Sequence, residues 1–145
     1  MAKILQMWNS STITLPSEGS SGSMSLNPGW GVFVDNNIMV PASYDYPAAF
    51  ILIPKIVNGK VYRGYKSSMF EAIYSPTIVE IRPDDTYEGN LESYLRVGTR
   101  VTFNGGKWKS CLRMTSGNSF ADIIKVGSSY VCVLFRGTGR AIALS

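Results

Sequence analysis

The chain has 145 residues, 45 % of them hydrophobic and 17 % charged, with a formal net charge of +4 and no histidine. That is enough for one domain with a sizeable core, and it is too apolar for a disordered chain. The missing histidine removes serine–histidine and cysteine–histidine nucleophile systems, histidine-based zinc sites and the commonest general base.

Taken in order, the N-terminus leads from Lys3 into a short apolar stretch, Ile4 to Trp8, interrupted by Gln6. It lacks the pattern of a signal peptide, and no run approaches the ~18 apolar residues needed to cross a bilayer. The protein is expected to be made in the cytoplasm and to have no membrane partner. The sequon at Asn9-Ser10-Ser11 then has no use. Lys3–Trp8 and Thr12–Leu15 read as two strand-like pieces, followed by Pro16 and a Gly/Ser-rich stretch from Ser17 to Ser25 that reads as a flexible connector. Residues 1–28 therefore have two readings. They form either an arm reaching away from the body, with Ile4, Leu5, Met7 and Trp8 to bury on a partner, or the first strand of the local sheet.

Residues 29–145 read as a single β domain. Trp30–Val34 and Asn37–Val40 are short apolar runs about the turn pair Asp35-Asn36. Ala49–Ile53 is continuous, apolar and rich in β-branched residues, hence a buried strand. In Lys55–Tyr62, Asn58-Gly59 between alternating runs predicts a two-residue hairpin, because both turn residues need positive φ. Phe70–Tyr74 and Thr77–Ile81 are two more strands, placed side by side about Ser75-Pro76. Arg82–Gly89 is an acidic loop, and Asn90–Leu95 is the one plausible helical turn.

The last third holds Arg100–Phe103, Lys107–Arg113, Phe120–Val126 and Tyr130–Arg136, strands joined by Gly/Asn/Ser turns. An even loop at Gly105-Gly106, or from Asn104 to Lys107, sets Phe103 opposite Trp108. Val101, Phe103, Trp108, Ser110 and Leu112 then share the buried face, while Arg100, Thr102, Lys107, Lys109, Cys111 and Arg113 share the other. Residues 93–145 carry eight bases (Arg96, Arg100, Lys107, Lys109, Arg113, Lys125, Arg136, Arg140) against Asp122, a net +7; residues 1–92 carry −3. Such polarity suits docking on an acidic surface, or head-to-tail contact between copies. The fold class expected is mainly β, a small antiparallel barrel or sandwich with an extended N-terminal arm, whose compact basic half is residues 93–145.

Candidates for chemistry are sparse. Asp84-Asp85 reads as a solvated turn, and Glu71 and Glu80 fall on strands expected to adjoin. Gly137-Thr138-Gly139-Arg140 resembles a phosphate loop but lacks the Gly-Lys-Ser/Thr ending and a following helix. Cys111 and Cys132 are too few for a disulfide scaffold and lack metal-ligand spacing; two buried thiols are expected, with a bridge as the alternative. No catalytic residue, metal, cofactor or small-molecule substrate is expected.

From Leu95 to Phe135 the order of elements is distinctive. Val97-Gly98-Thr99-Arg100-Val101 leads into a strand and the turn Asn104-Gly105-Gly106-Lys107; a polar loop, Thr115-Ser116-Gly117-Asn118, precedes the pair Asp122–Val126 and Tyr130–Leu134. This resembles the C-terminal half of the head-decoration, or capsid-stabilising, proteins of tailed bacteriophages, over about a third of the chain. The chain departs from that pattern in its first half, in residues 62–92, and near Ile123, where a second glycine is missing. The resemblance implies a virion protein that clamps major capsid subunits, is often trimeric, and lends an N-terminal arm to a neighbour's sheet. On that reading Ile4, Leu5, Met7, Trp8, Arg100, Lys107, Lys109 and Arg113 make the contacts. Two alternatives remain. A tail- or fibre-associated receptor binder would use Tyr44, Tyr46 and Tyr87 on the loops Ser43–Tyr46 and Thr86–Gly89. A single-strand nucleic-acid binder would need Phe103, Trp108, Tyr130 and Phe135 exposed among the bases, which the alternation of buried and exposed positions opposes.

Overall fold

The computed structural model describes residues 2–8, 12–16, 27–35, 38–43, 49–53, 55–57, 60–62, 69–111 and 121–137. Thirteen strands are present among them: β1 (Lys3–Met7), β2 (Thr12–Pro16), β3 (Gly31–Asp35), β4 (Ile38–Pro41), β5 (Phe50–Ile53), β6 (Lys55–Val57), β7 (Lys60–Tyr62), β8 (Met69–Ile73), β9 (Thr77–Ile81), β10 (Arg100–Asn104), β11 (Lys107–Ser110), β12 (Ala121–Val126) and β13 (Val131–Phe135). The protein is mainly β. Outside the described residues lie the Asn9 sequon, the Ser17–Ser25 connector, Tyr44 and Tyr46, the Asn58-Gly59 turn, Leu112, Arg113, the Thr115–Asn118 loop and Thr138–Arg140.

Two antiparallel sheets face each other in a sandwich-like arrangement rather than a closed barrel. One has the order β1-β9-β13-β12-β10-β11, the other β2-β8-β5-β3-β4; β6 and β7 form a separate ribbon. That ribbon pairs Val57 with Lys60 and Ile56 with Val61, the register a two-residue turn dictates. In β10–β11, Phe103 pairs with Trp108, and Gly105 and Gly106 have φ of 60° and 86°, so the shorter of the two even loops is the one formed.

The core between the sheets follows the pleat. Val79, Ile81, Val101, Phe103, Trp108, Ala121, Ile123, Val131, Val133 and Phe135 point inward from the six-stranded sheet and meet Trp30, Ala42, Ala49 and Ile51. The five-stranded sheet also buries its other face, with Val32, Met39, Phe50, Leu52 and Ala72 in a second cluster. Its edge strands β2 and β4 approach within 8 Å (Cα–Cα), so the sheet curls, and this cluster fills the curl.

The hairpin tip stitches the sheets together. Gly106 N–H donates to Ala42 O (2.9 Å), and Gly31 N–H donates to Gly106 O (2.8 Å). Trp108 Nε1 donates to Gly29 O (2.9 Å) and Trp30 Nε1 to Asp85 Oδ1 (3.1 Å), which satisfies both buried indoles.

Two expectations are corrected. Glu71 and Glu80 do not lie on adjoining strands: β8 belongs to one sheet and β9 to the other. Ser75-Pro76 supplies no residue suited to positive φ, as a tight hairpin would require, and the chain arches across the sandwich instead. Thr102 does not join an exposed stripe; it is 3 % exposed, and its hydroxyl has no hydrogen-bond partner among the described residues.

Candidate functional site

The N-terminal strand settles on the body. β1 pairs with β9, Lys3 opposite Glu80 and Met7 opposite Thr77, with a bulge between Ile4 and Gln6. Ala2 is buried in the core, and Trp8 N–H donates to Pro76 O (2.9 Å). Of the two readings of this segment, the first-strand reading describes β1. It is nevertheless an edge. Ile4 is half-buried, whereas Leu5, Met7 and Trp8 are 46 %, 41 % and 41 % exposed. No described strand pairs with its outer side. The opposite edge, β11, is covered: Thr86 bridges to Trp108, and Tyr87 N–H donates to Trp108 O (2.8 Å).

The basic residues on the outer side of β10 and β11 divide. Lys107 lies 5.3 Å from the Trp30 ring centre and Lys109 4.7 Å from that of Tyr87, each a cation–π contact. Asp122, opposite Arg100 in register, gives its carboxylate to Arg136 at 2.9 Å. Among the described residues no carboxylate pairs with Arg96, Arg100, Lys107 or Lys109.

Where β10 begins and β11 ends, Glu92, Ser93, Leu95, Arg96, Gly98, Thr99, Arg100 and Cys111 wall an open pocket of about 460 Å³. Burial pushes the Cys111 thiol up in pKa, against the pull of Lys109, Arg100 and Arg136. The protonated thiol is a poor nucleophile at neutral pH. Cys111 and Cys132 are both free, so the bridge is not formed. The pocket escaped the sequence reading: Arg96 counted only as a base, and nothing local places it beside Cys111.

The pocket wall is held by a half-buried polar pin. Glu88 accepts from Tyr94 Oη (2.6 Å), Ser110 Oγ (2.7 Å) and Ser110 N–H (3.2 Å). Burial opposes ionisation of Glu88, but these hydrogen bonds outweigh it and hold its carboxyl below the ordinary range. Burial, then Glu88 itself, push the Tyr94 hydroxyl well above its usual range, so it stays a donor. Because the folded pKa of Glu88 is depressed, its stabilisation is fully present well above the unfolded value of about 4.5 and is lost as pH falls through the folded value. Glu88→Gln is expected to cost about 0.5–1.5 kcal/mol at neutral pH, since solvent screens a half-buried carboxylate. Urea midpoints between pH 7 and pH 3 should show the gap from the unaltered protein closing below that value; a gap independent of pH would contradict the pin.

Asp85 has a structural placement. It is 1 % exposed, and its second oxygen accepts from Arg82 N–H at 2.9 Å, capping the 3₁₀ turn Pro83–Asp85. The expected solvated Asp84-Asp85 turn is therefore half wrong: Asp84 is exposed, and Asp85 is core. No described group of three His, Cys, Asp or Glu side chains is placed to hold a metal ion.

Compared with family models, curated proteins and solved structures, the chain matches none.

Proposed function

We propose that this is a non-catalytic assembly protein of a virion, one that binds and stabilises an assembled phage capsid. The observation that carries it is the outer edge of β1, with which no described strand pairs, together with the exposure of Leu5, Met7 and the following Trp8. An open apolar edge invites pairing with another chain, and monomeric proteins ordinarily blunt such edges with charge, proline or a covering loop. Here Lys3 is the one charge on the strand. Strand addition would give backbone hydrogen bonds, and an aromatic anchor such as Trp8 would add affinity. The partners on this reading are the major capsid protein and further copies of the chain, with the virion as its location.

Removing residues 1–16 would strip an edge strand from both sheets, so the clean test is Leu5→Thr/Met7→Thr/Trp8→Thr, which keeps β-compatible side chains. Co-sedimentation with assembled shells of the virus encoding the protein is expected to fall at least about tenfold, since one aromatic anchor alone is worth about 2 kcal/mol. Undiminished binding would remove β1 from the contact. No binding by the unaltered protein would end the capsid reading.

Tyr87, 56 % exposed beneath Lys109, favours a second reading, a tail-associated receptor binder that stacks sugars on this ring. Glycan-array binding by the isolated protein, lost in Tyr87→Ala, would support it. A nucleic-acid role is disfavoured because three of its four aromatics, Phe103, Trp108 and Phe135, are fully buried; Tyr130 alone is half-buried, with Arg82 and Lys125 each 5.8 Å from its ring centre.

A further inference from the structure

The pocket beside Arg100 is a second place where this chain can hold a partner, and its chemistry is more selective than that of the β1 edge. Arg96 is exposed and Arg100 half-buried, and both residues line one cavity of about 460 Å³. Neither has a carboxylate partner among the described residues; Asp122, opposite Arg100 in register, is held by Arg136. Two guanidinium groups with no carboxylate partner among the described residues match planar oxyanions. Thr99 and Cys111 line the same cavity and carry a hydroxyl and a thiol.

Three observations choose among anions. Glu92 stands in the same wall and would repel a phosphate dianion more than a single carboxylate. Leu95 in the lining and Val97 beside it are 59 % and 63 % exposed, an apolar rim that an inorganic ion would not use but a peptide side chain would. Among the described residues, no aromatic side chain lines the pocket to stack a base. We propose that the Arg96/Arg100 pocket binds an acidic segment of a protein partner, with a carboxylate between the two guanidinium groups and a neighbouring apolar side chain on Leu95 and Val97.

The inference deepens the assembly reading and rests on it for the identity of the partner, but the site itself is separate. β10 lies four strands from β1 in the same sheet, about 19 Å at the usual strand spacing. The two contacts can therefore be removed independently.

The test is an NMR titration of the isotope-labelled full chain with the capped peptide acetyl-Gly-Glu-Leu-Glu-Gly-amide. Its Gln-Leu-Gln counterpart, inorganic phosphate and a dodecathymidylate serve as comparisons. The acidic peptide is expected to give saturable shifts confined to the amides of residues 92–100 and Cys111, with the glutamine peptide at least about tenfold weaker. Arg96→Gln/Arg100→Gln should lose binding by a similar factor. Arg96→Gln alone, at an exposed position outside every strand, should lose part of it with the spectrum otherwise unchanged. Equal binding of the two peptides, or unchanged binding by these variants, would overturn the proposal. Tighter binding of phosphate would overturn it in favour of a phosphate site, and tighter binding of the oligonucleotide in favour of nucleic acid. The Leu5→Thr/Met7→Thr/Trp8→Thr variant should bind the peptide normally. If shells fail to bind while the peptide still does, the pocket stands and the capsid reading alone falls.

Discussion

Trp108→Ala is expected to cost about 3–5 kcal/mol, a large share of the roughly 5–15 kcal/mol that holds a domain of this kind together. The side chain is fully buried, and its ring lies 4.4 Å from that of Phe103, its cross-strand partner. Removing it opens a cavity at the centre of the larger core cluster and leaves the Gly29 carbonyl without its donor. The same residue's carbonyl accepts from Tyr87 N–H and Tyr94 Oη, so loosening β11 also loosens the segment that covers its edge. Urea denaturation should show the midpoint falling steeply. Trp108→Phe, which keeps most of the apolar volume and loses the indole donor, should lie between the two. A loss below about 1 kcal/mol for the alanine variant would mean that the core is assembled differently.

Gly31→Ala is the second large effect, although it adds only a methyl group. A Cβ at this position would lie 2.4 Å from Cδ1 of Phe103, well inside contact distance. The backbone cannot retreat: Gly31 N–H donates to Gly106 O, Gly31 O accepts from Ala42 N–H (3.0 Å), and the residue pairs with Ile51. Overpacking of this kind costs about 1–3 kcal/mol or more. The signature is coupling. Phe103→Leu in the Gly31→Ala background should recover part of the loss, with an interaction term of about 0.5–3 kcal/mol. Strictly additive effects would show that the ring has room to move aside.

These two sites mark how far the sequence was legible. Strand positions were readable throughout, because alternation and turn chemistry are local, and the Phe103–Trp108 register followed from keeping both rings on one face. The assignment of strands to sheets was not readable. Ser75-Pro76 separates β8 from β9 but does not announce that the chain changes sheet there. Gly31 reads as an ordinary glycine at a strand start; its need for no side chain comes from a ring 72 residues later in the chain. Asp85 looks like half of a solvated pair, yet its partner is Trp30, 55 positions away. The Arg96/Arg100 pocket was hidden for the same reason, since it forms where a loop, the start of one strand and the end of another converge. The exposure of Leu5, Met7 and Trp8, by contrast, follows from the edge position of a strand already recognised as apolar.

The placement of β1 and β2 sets a timetable. Their partners, β9 and β8, lie roughly 55–75 residues further along the chain, so at about 5–20 residues per second the early segment emerges several seconds before anything exists for it to pair with. During that wait Ile4, Leu5, Met7 and Trp8 are free of any native neighbour. Chains emerging side by side on one message could then exchange these strands before either finishes its own sheets, a low-cost route to an intertwined pair. The fraction of such pairs should rise with synthesis rate and vanish on dilute refolding, which makes the history of a preparation, and not its concentration alone, a determinant of what is found in the tube.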